Sequence, residues 1–241
     1  MYNLIVPRFT INVNMKKYYI LFLLVVGMLN TYAQVSDTLH LSYGVIYVSG
    51  KISDRQIYLK KAIEIKKITS FKPWEEIKNV LLSRDEKYIL IYHKTNQEPG
   101  HNLSILDLST FSIIKTIKPG YGGILYWTSN NNILLIWGCG SACGCFRLYD
   151  MELQSLAEEC GSCLKEFIRE DILVSLPCTV AQQGLFKIYS LGSGSIIKEI
   201  SFIDKYSNYY ALDATIENEV LKVDLQCGTN MDSLVVEKIK F

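Results

Sequence analysis

Histidine is scarce in this 241-residue chain, with only His40, His93 and His101. None stands at a metal-ligand spacing such as H-E-x-x-H. No G-x-S-x-G elbow is present. Gly192-Ser193-Gly194-Ser195 runs into Ile196 and reads as a turn. A hydrolase would have to assemble His93 or His101 with Asp107 and a serine from separate places. Phosphate-binding and dinucleotide fingerprints are also missing, so no cofactor is expected. Charge of one sign is lacking too: 25 basic residues face 24 acidic ones. That balance leaves no electrostatic footprint for nucleic acid or for an anionic membrane surface. Proline occurs only five times. Beyond Gln34 no apolar run approaches 18 residues, so no membrane span is expected there.

The N-terminal region reads as an export signal. Lys16 and Lys17 supply the positive start, and Tyr18 to Leu29 supply an apolar run of 12 residues. As a helix that run would be roughly 18 Å long, against a bilayer core of ~30 Å. Thr31-Tyr32-Ala33 then offers small residues for cleavage before Gln34. The spacing predicts a signal region over 1–33, with the signal peptide proper at 15–33 and translation starting at Met15. A single exported domain over 34–241 follows, in the periplasm, at the cell surface or secreted. Removing Arg8, Lys16 and Lys17 leaves 22 basic and 24 acidic residues. Abundant Ile, Asn, Lys and Tyr suggest a bacterial, AT-rich genome.

All seven cysteines follow the signal: Cys139, Cys143, Cys145, Cys160, Cys163, Cys178 and Cys227. In an exported protein disulfides are the default. The run Trp137-Gly-Cys-Gly-Ser-Ala-Cys-Gly-Cys145 is expected to be a loop between two strands. Gly138, Gly140 and Gly144 would give it positive φ, and disulfides would staple it. Cys139–Cys143 and Cys139–Cys145 are both possible pairs, with others reaching Cys160 or Cys163. Two alternative chemistries compete. Cys139, Cys143, Cys145, Cys160 and Cys163 could supply thiolates to a metal, or Cys160-Gly-Ser-Cys163 could act as a redox pair.

The rest of the chain alternates short β-rich runs with turn residues. Strands are predicted at Val45–Val48, Gln56–Leu59, Tyr88–Tyr92, Leu103–Leu108, Ile133–Trp137, Phe146–Tyr149, Ile172–Leu176, Leu185–Tyr189, Val220–Leu225 and Ser233–Lys238. Helical spacing is found over Trp74–Leu82 and over Leu153–Phe167. The strands also repeat. Ser83 to Tyr92 matches Ser129 to Trp137 with one deletion, and each run leads to a strand ending in Asp, at Asp107 and Asp150. Over residues 80–151, "LSRDEKYILIYHK" followed by "LSILDLSTFSIIKTI" resembles the β-propeller-type repeats of exported bacterial proteins. The WGCGSxC-type run is similar to loops in uncharacterised exported proteins. The resemblance implies an all-β fold of antiparallel, propeller-like meanders, small or incomplete with four or five units. A β-sandwich is the alternative. It implies no activity. Asp107 and Asp150 would accept turn N–H bonds.

Tyrosine is abundant, at 16 residues, and suits binding surfaces because a large ring carries a polar tip. Trp137 beside the cysteine run, with Tyr206, Tyr209 and Tyr210, forms the candidate binding set. The sequence thus predicts a non-catalytic exported protein that binds a protein or glycan partner. A cysteine-based metal or redox protein is the alternative.

Overall fold

The computed structural model describes residues 38–241 apart from 52–53, 73–74, 96–99, 141–142, 177–184, 202–209, 218–219, 228–229 and 237–241. Residues 1–33, where a signal region is expected, and Cys178 lie outside the described residues. Four successive antiparallel sheets follow the chain order. The first joins β1 (Thr38–Leu41), β2 (Gly44–Ser49), β3 (Gln56–Lys61) and β4 (Glu64–Lys67). The second joins β5 (Glu75–Leu82), β6 (Tyr88–Thr95), β7 (Asn102–Asp107) and β8 (Ser112–Ile117). The third runs from β9 (Ile124–Trp127) through β10 (Ile133–Gly140), β11 (Cys143–Tyr149), β12 (Ser155–Phe167), β13 (Ile172–Leu176) and β14 (Leu185–Ser190) to β15 (Ile196–Ser201). The last joins β16 (Tyr210–Glu217), β17 (Val220–Cys227) and β18 (Asn230–Val236). The fold is all-β, built of antiparallel meanders in the propeller manner. Among the described residues no helix is long and apolar enough to cross a membrane.

Why the middle strands read so clearly is seen in β6. Ile89 and Ile91 pack toward the first sheet, while Leu90 and Tyr92 pack toward the third. A strand buried on both faces needs apolar residues at every position, and Ile, Leu and Tyr suit the extended backbone. The same arrangement continues along the chain. Leu103 and Ile105 meet Leu135 and Trp137. Phe146 and Leu148 meet Leu173 and Tyr189. Ile172 and Phe186 meet Leu221 and Val223. Fully burying each such side chain contributes roughly 1.5–3 kcal/mol.

The hairpin turns at one end touch in sequence. Ser42 donates its N–H and its hydroxyl to Glu86 Oε2 (2.9 and 2.7 Å). Asn131 Nδ2 donates to Asp85 Oδ2 (3.3 Å), and Ser129 N donates to Asp171 Oδ1 (3.3 Å). Glu86, Asn131 and Asp171 all take left-handed φ, at 55°, 59° and 58°. The repeat therefore holds in three dimensions, with one change of register. Thr128, rather than Ser129, takes the place of Ser83. Ser83 N bonds Tyr88 O and Thr128 N bonds Asn132 O, a loop one residue shorter. Asp107 and Asp150 cap turns through Oδ1, from Ser109 N (2.6 Å) and Gln154 N (2.8 Å).

Both expected helices are strands. In β5 the buried residues Ile77 and Val80 stand three apart because a bulge interrupts the ladder between Ile77 and Asn79. The bulge resets the two-residue alternation and imitates a helical period. The stretch over Leu153–Phe167 is β12. Its first part pairs with β11, and Cys163–Phe167 pairs with β13. Gly161, at φ 97°, sits where the strand passes from one pairing to the other.

Candidate functional site

The cysteine run is an extended hairpin, not an irregular loop. β10 continues to Gly140 and β11 begins at Cys143. Gly138, Gly140 and Gly144 do not take positive φ, because they lie in strand backbone. Cys139 is bonded to Cys143, with Cα atoms 5.4 Å apart. Cys145 is bonded to Cys160 on β12, with Cα atoms 4.0 Å apart. One bridge ties the two arms of the hairpin near its end. The other ties β11 to its neighbour in register. These bonds occupy four of the five cysteines from which a thiolate metal site would draw its ligands, and they tie Cys160 of the Cys160–Cys163 pair to Cys145. Both cysteine-based alternatives fail at this site for that reason. Cys227 closes β17, and its side chain lies outside what is described.

Trp137 is buried and stacks against Tyr121, with ring centroids 5.4 Å apart and planes 5° apart. Tyr121 is 58% exposed and presents the free face of the pair. Arg147 flanks it, its guanidinium carbon 5.9 Å from the Trp137 ring centre and 6.0 Å from that of Tyr149. Glu158 holds the guanidinium by two parallel bonds of 2.8 and 2.6 Å, a fork that fixes its plane. Ile124, exposed, begins β9 three residues later and pairs with Ile136, on the opposite face of the sheet from Trp137.

A second stack supports the segment from below. Tyr92 and His101 lie parallel, centroids 4.8 Å apart. Tyr92 OH donates to Tyr121 O (2.9 Å) and accepts from Gly123 N (3.2 Å). Burial pushes the Tyr92 phenol up to about 12, so it stays a donor. His101 is held below the usual imidazole value by burial and by the charges of Lys94 and Lys78. It therefore stacks as a neutral ring. The segment can pass this close only because Gly122 and Gly123 lack side chains. A Cβ on Gly123 would lie 2.0 Å from Ile136 O, and one on Gly122 would lie 2.9 Å from His101 Cε1.

Behind the second disulfide, Glu159 anchors the floor of the sheet. Its carboxylate accepts from Ser162 Oγ (2.9 Å), Ser175 Oγ (2.5 Å), Lys187 Nζ (2.9 Å) and Tyr189 OH. Burial acts to raise its pKa, but the bonds from Ser175, Tyr189, Lys187 and Ser162 together outweigh it and hold the carboxyl below its usual range.

Of the expected binding residues, Trp137 is thus the buried support of the stack. Tyr206 and Tyr209 lie outside the described residues, and Tyr210 is described only as backbone opposite Gln226. Sequence reasoning missed Tyr121, whose signal was the Gly120-Tyr-Gly-Gly123 context. The set that a hydrolase would need from His93 and Asp107 does not assemble. His93 faces Asn102 and Asp107 faces Tyr88, at opposite ends of the β6–β7 pair, roughly 17 Å apart at the rise of a strand. Among the described residues no group of three or more His, Cys, Asp or Glu could hold a metal ion.

No protein-family model matches the sequence, and no relative is found among curated proteins. Solved structures offer a likeness of fold. The chain is similar to the β-propeller domain of the trilobed protease from Pyrococcus furiosus, at 12% identity, over 83% of this chain and 81% of that one, with a TM-score of 0.44. It is similar to TolB from Acinetobacter baumannii at 18% identity, over 82% and 52%, with a TM-score of 0.40. For the acylaminoacyl peptidase of Pyrococcus horikoshii the values are 11%, 83%, 37% and 0.46. The chain spans 41% of a matching prolyl endopeptidase and 37% of the acylaminoacyl peptidase. None of these likenesses bears on the site.

Proposed function

We propose that this chain is an exported, non-catalytic interaction protein, with residues 34–241 as the domain left after cleavage of 15–33. It engages a protein partner through the Tyr121 face beside the disulfide-stapled hairpin. The observation that carries this reading is the exposed Tyr121 ring laid flat on the buried Trp137, with Arg147 held alongside by Glu158. Protein interfaces are enriched in Tyr, Trp and Arg, and their energy concentrates in a few such anchors. The two bridges hold the platform in one shape before binding, which lowers the ordering cost of association. Disulfides also fit an oxidising compartment and so support export.

The test is a photo-reactive aromatic residue in place of Tyr121 in the living host, followed by purification of the cross-linked partner and calorimetry with the unmodified chain. Tyr121→Ala is expected to weaken binding at least ten-fold and to leave the melting temperature within the effect of a surface change. Equal binding by Tyr121→Ala would sink the reading. Thiol mapping with metal analysis on the same sample checks the cysteine chemistry: bound zinc with reduced Cys139–Cys163 would revive the metal reading.

A further inference from the structure

The near balance of charge over the whole chain, 25 basic residues to 24 acidic, conceals a local excess on the first sheet. The hairpin of β3 and β4 carries Lys60, Lys61, Lys66 and Lys67 against one acid, Glu64. All four lysines are exposed. Among the described residues none of them pairs with a carboxylate. Lys61 Nζ lies 4.6 Å from the Tyr43 ring centre, and Lys66 Nζ lies 4.1 Å from that of Phe111. The register sets Lys60 opposite Ile65 and Lys67 opposite Tyr58, on one face of the hairpin, with Lys61 and Lys66 on the other. Amines therefore surround the tip. There the two-residue turn is Ala62-Ile63, and Ile63 is 100% exposed.

This hairpin departs from its own repeat. β4, β8 and β15 each follow a residue with left-handed φ: Ala62 at 49°, Phe111 at 55° and Gly194 at 75°. Aligned on those residues, Ile65-Lys66 matches Ile114-Lys115 and Ile197-Lys198. The shared lysine has a structural reading, since an exposed edge strand carries charge that discourages pairing with another chain. The differences have no such reading. Ile63 stands where the other two hairpins have Ser112 and Ser195, and Lys67 stands where they have Thr116 and Glu199. Lys60 and Lys61 lie on β3, which has a neighbour on both sides, so edge protection does not account for them. Tight hairpin turns with positive φ favour Asn, Asp or Gly, yet this one is built of Ala and Ile.

We propose that the β3–β4 hairpin docks the protein on an anionic phospholipid bilayer, with Ile63 entering the headgroup region and the lysines meeting lipid phosphates around it. The Tyr58–Lys67 pair lies three residues behind the Lys61–Glu64 pair, about 10 Å at the rise of a strand. All four amines thus fall within about one Debye length of the surface, ~10 Å at 0.1 M salt. Glu86 and Asp107 line a cleft beside Tyr43 on the side of the second sheet. Lys60, Ile65 and Lys67 turn away from that side, because Ile57 and Leu59 on the opposite face pack against the second sheet. The approach to lipid is through the tip and this outward face. Ile63 selects a bilayer over a soluble polyanion. Nucleic acid or an acidic protein would use the amines and leave the isoleucine in water, whereas a bilayer sets hydrocarbon beneath its phosphates. Tyr43, 44% exposed beside Lys61, has the amphipathic ring that suits the boundary between them. The contact uses no residue of the Tyr121 face, and neither reading depends on the other.

The experiment uses the full, disulfide-oxidised chain purified from an exporting host. Co-sedimentation compares vesicles of phosphatidylglycerol mixed with phosphatidylcholine against phosphatidylcholine alone. Each lysine at an anionic bilayer multiplies binding by about five-fold. Binding to the anionic vesicles is expected to be at least ten-fold the tighter, and to be lost at about 1 M salt, where the Debye length is about 3 Å. Lys60→Gln combined with Lys67→Gln should weaken it at least ten-fold, and Ile63→Ser at least three-fold. Lys115→Gln combined with Lys198→Gln removes the same charge from the matching hairpins and should leave binding unchanged. In Ile63→Trp, brominated lipid in the anionic vesicles should quench fluorescence beyond the wild-type level, a readout of the tip that a retained N-terminal apolar run would not supply. Equal binding to both kinds of vesicle, an unquenched tryptophan at position 63, or folded hairpin variants that bind as wild type would overturn the proposal. An equal loss in the Lys115 and Lys198 control would do the same. Polyglutamate binding as tight as that to vesicles, and indifferent to Ile63→Ser, would assign the patch to an acidic protein and overturn it too.

Discussion

Replacing Glu159 by glutamine tests whether its buried carboxylate holds the middle of the long sheet. The side chain keeps its size, but its amide can no longer accept from all four donors. The amide oxygen can still serve Ser162 and Ser175, whereas the NH₂ group would face Lys187 Nζ, which can only donate, and the Tyr189 hydroxyl, which would have to turn and accept. Two charge-assisted bonds are lost, at about 1.5–3 kcal/mol each. Lys187 keeps 28% of its side-chain surface exposed, so water recovers part of that loss. The expected cost is therefore about 2–4 kcal/mol, or about 6–12 °C in Tm for a domain of this size. Urea melts of wild type and Glu159→Gln between pH 7 and pH 3 supply the assay. Because the folded pKa of Glu159 is depressed, its contribution is fully present above the unfolded value of 4.5 and is lost as pH falls through the folded value. The stability gap between wild type and variant should hold from pH 7 down to the unfolded value and then close. A gap that is absent at pH 7, or that stays constant down to pH 3, would refute the reasoning.

Gly123→Ala should displace the Tyr121 segment, because the new Cβ would lie 2.0 Å from Ile136 O. Near-ultraviolet circular dichroism of the Tyr121–Trp137 stack should change while the far-ultraviolet spectrum stays. Burial lowers the His93 pKa more than Glu75 raises it. The unfolded chain therefore takes up the proton first, and stability should fall as pH drops below the unfolded value of 6.5. His93→Gln should flatten that part of a denaturation-versus-pH profile. Removing the Cys145–Cys160 bridge, which spans 15 residues, should cost about 3 kcal/mol. The Cys139–Cys143 bridge spans four, and its removal should cost less, about 2 kcal/mol. Chemical denaturation of the paired alanine variants would show the order.

The ten predicted strands fall on strands, the last of them over its described residues 233–236, and in the first two sheets and both halves of the third they are the middle pair of a meander. Their legibility follows from burial on both faces, as with Ile89 to Tyr92. The flanking strands were not read because one face or both lie in solvent: β4 is Glu-Ile-Lys-Lys and exposed throughout, and β15 is nearly so. Such strands take their conformation from the neighbour's free N–H and C=O groups, which leaves little trace in the side chains. β5 misled in another way, its bulge turning a two-residue period into three. At the site, the cysteine run was legible as a stapled hairpin near Trp137. Tyr121 was not, since its role depends on a stack with a residue 16 positions later.

Strand β12 carries a consequence for how the fold comes apart. In an array of separate units, neighbours touch only through side chains, and each can melt or be exchanged alone. Here the backbone ladder runs unbroken from β9 to β15, because residues 155–167 serve two meanders in turn. Those two meanders should therefore gain and lose hydrogen-exchange protection together, as one cooperative block flanked by units that open on their own. A genetic cut, insertion or permutation placed at Gly161 would sever that shared backbone.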